Sequence, residues 1–182
     1  MMRLGSTTIM TALAIASAAP ALAQDAPRNP AIANYGTISP MPDGANQPDA
    51  TMEYRVVFSI TKAAASPDKI NPSLEKVARF VNLLASNGVK PKPGDIVAIV
   101  HGAATPSVMT DAAYRAKFDA ANPNLPLIVA LEKAGVEVHV CSQALAGQKI
   151  ASEAVAAPVT IDLSALTTLA TLQLKGWAMI PD

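Results

Sequence analysis

The residues best suited to chemistry lie around Cys141, the single cysteine of the chain. Valines at alternate positions from 136 to 140 predict a strand with one apolar face, which places Glu137, His139 and Cys141 on the other face. A helical pattern begins at Ser142, so Cys141 ends a strand beside a helix N-terminus, where free N–H groups favour a thiolate. A lone cysteine is also often a small buried hydrophobe, so a nucleophilic thiolate and a structural thiol both stay open.

Three further side chains could assist such a thiolate. Gln143 and the N–H groups after Cys141 are candidate donors to an anionic sulfur. His139 lies two residues before Cys141 on the same face, roughly 6–7 Å along the strand, and either pairs with the thiolate or is a half-buried, hydrogen-bonded histidine. His101 ends another predicted strand and either lies near the site or holds the His-Gly turn.

Other chemistries have little support in these residues. His101, His139 and Cys141 could together bind zinc or copper, but neither C-x-x-C nor H-x-x-x-H spacing occurs, so no metal is expected. A phosphate-binding glycine loop and a site-like carboxylate pair are also missing from the sequence. We therefore expect no cofactor, no nucleotide binding and no glycosidase-type reaction.

Composition limits the class of protein. The chain has 182 residues, 51% of them hydrophobic, with equal numbers of acidic and basic side chains. This length predicts one domain with a proper core. Neutral charge and an aromatic content of 4% argue against nucleic acid as a partner.

The first residues have the pattern of a secretory signal peptide, assigned to residues 1–23. Arg3 gives a positive start, residues 9–19 form an apolar run, and Ala21-Leu22-Ala23 is a small-residue cleavage site. The run is shorter than the ~20 apolar residues that a transmembrane helix needs, so no membrane association is expected after cleavage. We predict a periplasmic protein whose one thiol cannot form an internal disulfide.

Residues 24–51 are predicted to form a flexible arm before a domain at residues 52–182. The arm contains Pro27, Pro30, Pro40, Pro42 and Pro48 and has no apolar periodicity. Such a segment buries too little apolar surface to offset its ordering entropy. Only Tyr35, Ile38 and Met41 are candidates to anchor it, and a neighbouring subunit is one surface on which it could pack.

The remaining residues predict alternating strands and helices. Strands are expected at residues 54–60, 96–100, 136–140, 158–161 and 177–180. Helices are expected from Pro72 to Asn87, over 110–118 and 125–134, after Cys141, and from Asp162 or Ser164 to Lys175. This alternation predicts an α/β fold, a three-layer α/β/α sandwich with a five-stranded, mainly parallel sheet.

Four motifs in this order resemble the DsrE/DsrF-like family of sulfur-relay proteins. They are His101-Gly102-x-Ala104-Thr105, Asn122-Pro123-Asn124, the segment from Gly135 through Cys141-x-Gln143-Ala144-Leu145, and a C-terminal segment from Leu163 to Gly176-Trp177. The resemblance implies a five-stranded α/β fold that assembles as a homo-oligomer, a trimer or a hexamer. It also implies that Cys141 accepts sulfane sulfur as a persulfide and passes it to a partner protein. Cys141-Ser142-Gln143 replaces the more usual Cys-Gly-Gln, and Ala103 stands where proline or glycine is common.

The sequence therefore predicts a periplasmic sulfur or persulfide carrier, with a donor and an acceptor still unidentified, rather than a self-contained enzyme. The alternative is a non-catalytic oligomeric module of the same fold that binds a small ligand or a metal. Solvent access separates the two, because a carrier needs a thiol that a partner can reach.

Overall fold

The computed structural model describes residues 28–182. The predicted signal peptide and the first residues of the predicted arm lie outside this range. Within it, none of the helices combines the length and the apolar character needed to cross a membrane.

The centre of the fold is one sheet of five parallel strands. They are β1 (Val56–Ile60), β2 (Ile96–Val100), β3 (Val136–Cys141), β4 (Thr160–Asp162) and β5 (Ala178–Pro181), in the order β4-β3-β2-β1-β5. The α/β fold predicted from the sequence is confirmed, with every strand pair parallel rather than most of them. Because the strands are parallel, their carboxyl ends meet at one edge of the sheet, where Cys141 lies.

In the described part of the chain, five α-helices connect the strands: α1 (Pro72–Ser86), α2 (Asp111–Phe118), α3 (Leu125–Lys133), α4 (Ser142–Gly147) and α5 (Ala165–Leu174). Two short 3₁₀ helices lie at Gly102–Val108 and Ser152–Ala154. The Asn71 side chain accepts hydrogen bonds from the first N–H groups of α1, and Ser164 does the same for α5. These caps fix where each helix begins.

The two faces of the sheet are covered unequally. On the first, which we call the closed face, alternate strand residues such as Phe58, Ala98 and Val138 pack with α1 and α3 in the main core. On the second, the open face, α5 lies over a small cluster made of Val57, Val97, Ile99, Cys141 and Ala165. Leucines of α5 remain in solvent, with Leu166 80% and Leu174 89% exposed.

The arm predicted to be flexible is instead held against α1 over much of its described part. Ile32 and Ile38 are buried, and Ile32 belongs to the main core. The Asn82 side chain, buried in α1, accepts hydrogen bonds from the N–H groups of Ala31 (3.0 Å) and Ile32 (2.8 Å). These hydrogen bonds explain why the arm is held although its sequence has no apolar periodicity. A buried polar side chain of α1 accepts hydrogen bonds from backbone N–H groups of the arm, which would otherwise lack a partner within the protein.

A glycine permits the closest contact of the arm with α1. Gly36 has a φ of +59°, and a Cβ added to it would lie 2.2 Å from the backbone nitrogen of Arg79. Its N–H donates to Glu75 at 2.8 Å. Of the predicted anchors, Ile38 is buried and Tyr35 is partly buried, whereas the Met41 side chain is exposed.

Candidate functional site

Cys141 is the last residue of β3 and lies where two helices begin. α4 starts at the next residue, and β4 pairs with β3 so that Asp162 is opposite Cys141. The chain then turns at Ser164 into α5, whose first turn lies over the cysteine. The N-termini of α4 and α5 are therefore adjacent at this edge of the sheet.

This arrangement surrounds the sulfur with hydrogen-bond donors. Burial raises the pKa of the Cys141 thiol, but the N–H groups of Ala165, Ala144 and Gln143 and the Ser164 hydroxyl lower it by more. The pKa of the thiol is therefore below its usual value. Donors to a sulfur stabilise the anion over the neutral thiol, so the site favours a thiolate.

The same packing restricts access to the sulfur. Cys141 is 5% exposed and lies in the small apolar cluster of the open face. Ala165 in the first turn of α5 packs in this cluster with the cysteine, and Ala144 of α4 and Leu169 of α5 pack against the same cluster. The residue thus combines the electrostatics of a nucleophile with the burial of a structural thiol.

His139 is hydrogen-bonded to carboxylates rather than to the sulfur. Its Nδ1 lies 3.0 Å from each carboxylate oxygen of Asp162, and its Nε2 lies 3.3 Å from Glu137. Asp162 also accepts a hydrogen bond from the Thr168 hydroxyl of α5. His139 therefore contributes to a polar network that links β3, β4 and α5 beside the cysteine.

His101 directly follows β2, at the same edge of the sheet as Cys141. The last pair of the β2–β3 ladder is Val100 with Val140, and the His101 ring contacts β1 rather than β3. The ring Nε2 is 2.9 Å from the Ser59 hydroxyl oxygen. Burial lowers the pKa of the His101 imidazole, and the Asp182 carboxylate partly opposes that shift. This environment favours the neutral imidazole near pH 7.

Gln143 acts on the sulfur through its backbone. Its side chain is exposed and donates to the Leu163 carbonyl (3.3 Å), while its N–H is one of the donors to Cys141. The Ser142 hydroxyl donates to the same carbonyl at 2.7 Å. These two side chains fasten the segment that covers the thiol.

Sequence reasoning did not include Ser164, Ala165 and Asp162 in the site. Ser164 was visible only as a helix cap, and Ala165 acts through a backbone group that no side-chain motif reveals. The missing information was the position of β4 beside β3, which brings the start of α5 next to the start of α4. The rule that parallel strands joined by a helix are connected in a right-handed way could have predicted this position of β4.

The alternative metal site is not assembled in the part of the chain that the structure describes. His101 contacts Ser59, His139 contacts carboxylates, and the Cys141 sulfur faces N–H donors. Across residues 28–182, no three His, Cys, Asp or Glu side chains are arranged to hold a metal ion.

A cleft of about 670 Å³ runs along the open face between α5 and β3. This volume is within the range of small-molecule sites, roughly 300–1,000 Å³. Arg55 and Trp177 line the cleft with Glu137, His139 and Asp162, and the Arg55 guanidinium lies 5.2 Å from the Trp177 ring centre. The polar network beside Cys141 therefore faces a space that could admit a ligand.

Comparison with known proteins gives a family and a fold. A model of the DsrE/DsrF-like family matches residues 52–181. The structure of a protein of unknown function, MTH1491 from Methanobacterium thermoautotrophicum, is similar with a TM-score of 0.54 and 21% identity, over 71% of this chain and 100% of that one. The YchN protein from E. coli is similar with a TM-score of 0.50 and 16% identity, over 72% of this chain and 100% of that one. No curated protein sequence gives a significant match.

Proposed function

Because the chain belongs to the DsrE/DsrF-like family, we propose that it is a sulfur carrier that holds sulfane sulfur on Cys141 as a persulfide. The observation that supports this proposal is the position of Cys141 at the end of β3, beside the first turns of α4 and α5, whose N–H groups and Ser164 hydroxyl lower the pKa of the thiol. These donors act on the sulfur of the free thiolate, which is the form that attacks a sulfur donor.

The transfer step requires no oxidant. The Cys141 thiolate attacks the outer sulfur of a polysulfide or persulfide, a new S–S bond forms, and the former S–S bond breaks. The leaving sulfur keeps the electron pair and departs as a shorter polysulfide or a thiolate. Attack of an acceptor thiolate on the outer sulfur of the loaded protein then returns Cys141 to the thiolate.

We propose that His101, His139 and Gln143 serve this reaction in different ways. His101, at the same edge of the sheet as the cysteine and kept neutral by burial, is a candidate to exchange a proton with an incoming donor. His139 maintains the polar network, and Gln143 supplies an N–H to the sulfur and an amide to the covering segment.

The carrier works in the periplasm and as a homo-oligomer under this proposal. The apolar pattern at residues 9–19 supports export.

Exposed Leu166 and Leu174 on α5 support contact with a second copy, since large apolar side chains in solvent mark interaction surfaces. Light scattering of the wild type and of Leu166→Asp tests this proposal. We expect an oligomer for the wild type and its dissociation in the variant, whereas a monomeric wild type would contradict the proposal.

Intact-mass measurement tests the carrier function. The mature protein is incubated with inorganic polysulfide, desalted and weighed, with Cys141→Ser as the matched control. We expect mass added in steps of one sulfur on the wild type, removed by reductant and missing from the variant. A folded wild type that gains no sulfur would refute the proposal.

A second candidate is a non-catalytic module that binds a small ligand on the open face. The burial of Cys141 and the size of the cleft favour it. In that case thiol reagents would label Cys141 only after unfolding, and Cys141→Ser would keep its ligand affinity.

A further inference from the structure

We propose that Asp162 is a positioning residue that holds the first turn of α5 over Cys141, and that release of this turn admits the sulfur donor. This inference rests on the proposed carrier function. We call residues 162–168 the α5 strap.

Asp162 joins three elements at the point where the strap begins. It ends β4 opposite Cys141 in the strand register. Its carboxylate contacts Nδ1 of His139 on β3 at 3.0 Å and accepts the Thr168 hydroxyl hydrogen bond from the first turns of α5. One half-buried carboxylate thus fixes α5 to the strand that carries the thiol.

The strap supplies some of the hydrogen-bond donors to the Cys141 sulfur. Two of the donors to the sulfur, the Ala165 N–H and the Ser164 hydroxyl, belong to it. The Leu163 carbonyl is held from the other side by Ser142 (2.7 Å) and Gln143 (3.3 Å). The strap is therefore held by Asp162 on one side and by Ser142 and Gln143 on the other. In this position it buries the Cys141 sulfur and also stabilises the thiolate.

If the strap opens, the solvent exposure of the Cys141 sulfur and the pKa of its thiol must change together. Movement of residues 163–165 would expose the sulfur and remove two of its donors, which leaves only the N–H groups of α4. The ionisable groups at or near this edge are His139 and its neighbour Glu137 on β3, Asp162 on β4, His101 after β2 and Asp182 after β5, whereas α4 and α5 carry no ionisable side chain. A partner that bound the strap would therefore expose the sulfur and raise the pKa of its thiol.

The test compares alkylation of Cys141 in folded variants, using iodoacetamide as the probe. Thr168→Val removes the hydroxyl that binds Asp162 while keeping the side-chain shape. Thr171→Val is the matched control, since it lies further along α5 with an exposed side chain and does not contact Asp162. Asp162→Asn weakens the same contacts, and Asp162→Glu keeps the charge.

We expect Thr168→Val and Asp162→Asn to be alkylated about tenfold or more faster than wild type, as loss of a charge-assisted hydrogen bond predicts. The pH midpoint of thiolate absorbance should rise in both variants, a change that general destabilisation would not produce in folded protein. Thr171→Val should match wild type in rate and midpoint, and Asp162→Glu should restore much of the wild-type midpoint.

Wild-type rate and midpoint in folded Thr168→Val and Asp162→Asn would overturn the inference. Equal acceleration in Thr171→Val would also overturn it, because α5 as a whole would then be loosened. Alkylation needs no sulfur donor, so this result is independent of whether polysulfide loads the protein.

Discussion

The closed and open faces of the sheet are built from the same five strands but are covered differently. On the closed face, α1, α3 and part of the arm bury a continuous apolar core. On the open face, α5 covers a small cluster, while Glu137, His139 and Asp162 line a cleft beside it. The contrast places most of the stability on one face and leaves polar, accessible groups on the other, next to the one thiol.

The largest difference between the faces should be in stability. Leu127 of α3 is fully buried on the closed face, whereas Leu166 of α5 is largely exposed. At protein concentrations where the chain is monomeric, Leu127→Ala should lower the free energy of unfolding by about 2–5 kcal/mol through lost burial and a cavity, and Leu166→Ala by less than about 0.5 kcal/mol. Urea unfolding of the two variants measures this, and equal losses would remove the distinction between the faces.

The arm should behave as part of the closed face. Asn82→Ala leaves the N–H groups of Ala31 and Ile32 without their side-chain acceptor. The expected cost is about 1–3 kcal/mol, with faster proteolysis of the arm. Limited proteolysis and urea unfolding check both effects. An unchanged digestion pattern would show that Asn82 does not hold the arm.

Asp182 ties the end of β5 to the closed face and should give an acid-dependent effect. Burial raises the pKa of its carboxyl, but hydrogen bonds from the Lys62 and Thr61 N–H groups and from the Thr61 and Ser73 hydroxyls bring it to about 2, from a usual 3.8. A lowered folded-state pKa stabilises the fold above the unfolded value, and that contribution is lost as pH falls towards about 2.

Asp182→Asn should therefore cost about 1–2 kcal/mol at pH 7, allowing for partial exposure, and less at low pH. Urea unfolding of both proteins at pH 7 and near pH 2 gives the comparison. A difference between variant and wild type that stays constant with pH would contradict this assignment.

The smallest expected effect is on the thiol itself. Ser164→Ala removes the hydroxyl donor to Cys141 and also the cap on the Leu166 N–H of α5, whereas the Gln143 and Ala144 N–H donors of α4 are kept. The pKa of Cys141 should rise, because one of the hydrogen-bond donors that lower it is lost. The pH dependence of alkylation measures it, with Thr171→Val as control. A lower pKa in Ser164→Ala would mean that the hydroxyl does not stabilise the thiolate.

Much of the fold was predictable because its signals are local. Alternating valines gave β3, the Asn71-Pro72 cap gave the start of α1, and the position of Cys141 at a strand end followed from the same patterns. The packing of the arm was not predictable, since it depends on Asn82, about 50 residues away. The donors from α5 were missed for the same reason: they reach Cys141 only once β4 lies beside β3.

The most direct test of the account is the thiolate absorbance of Cys141 as a function of pH. The spectrum of Cys141→Ser is subtracted from that of wild type, in native buffer and in urea. We predict a native midpoint below that of an ordinary cysteine thiol, which moves up to the ordinary value when the protein unfolds. Equal midpoints in the two states, or a higher one in the native state, would contradict the claim that two adjacent helix N-termini lower the pKa of Cys141.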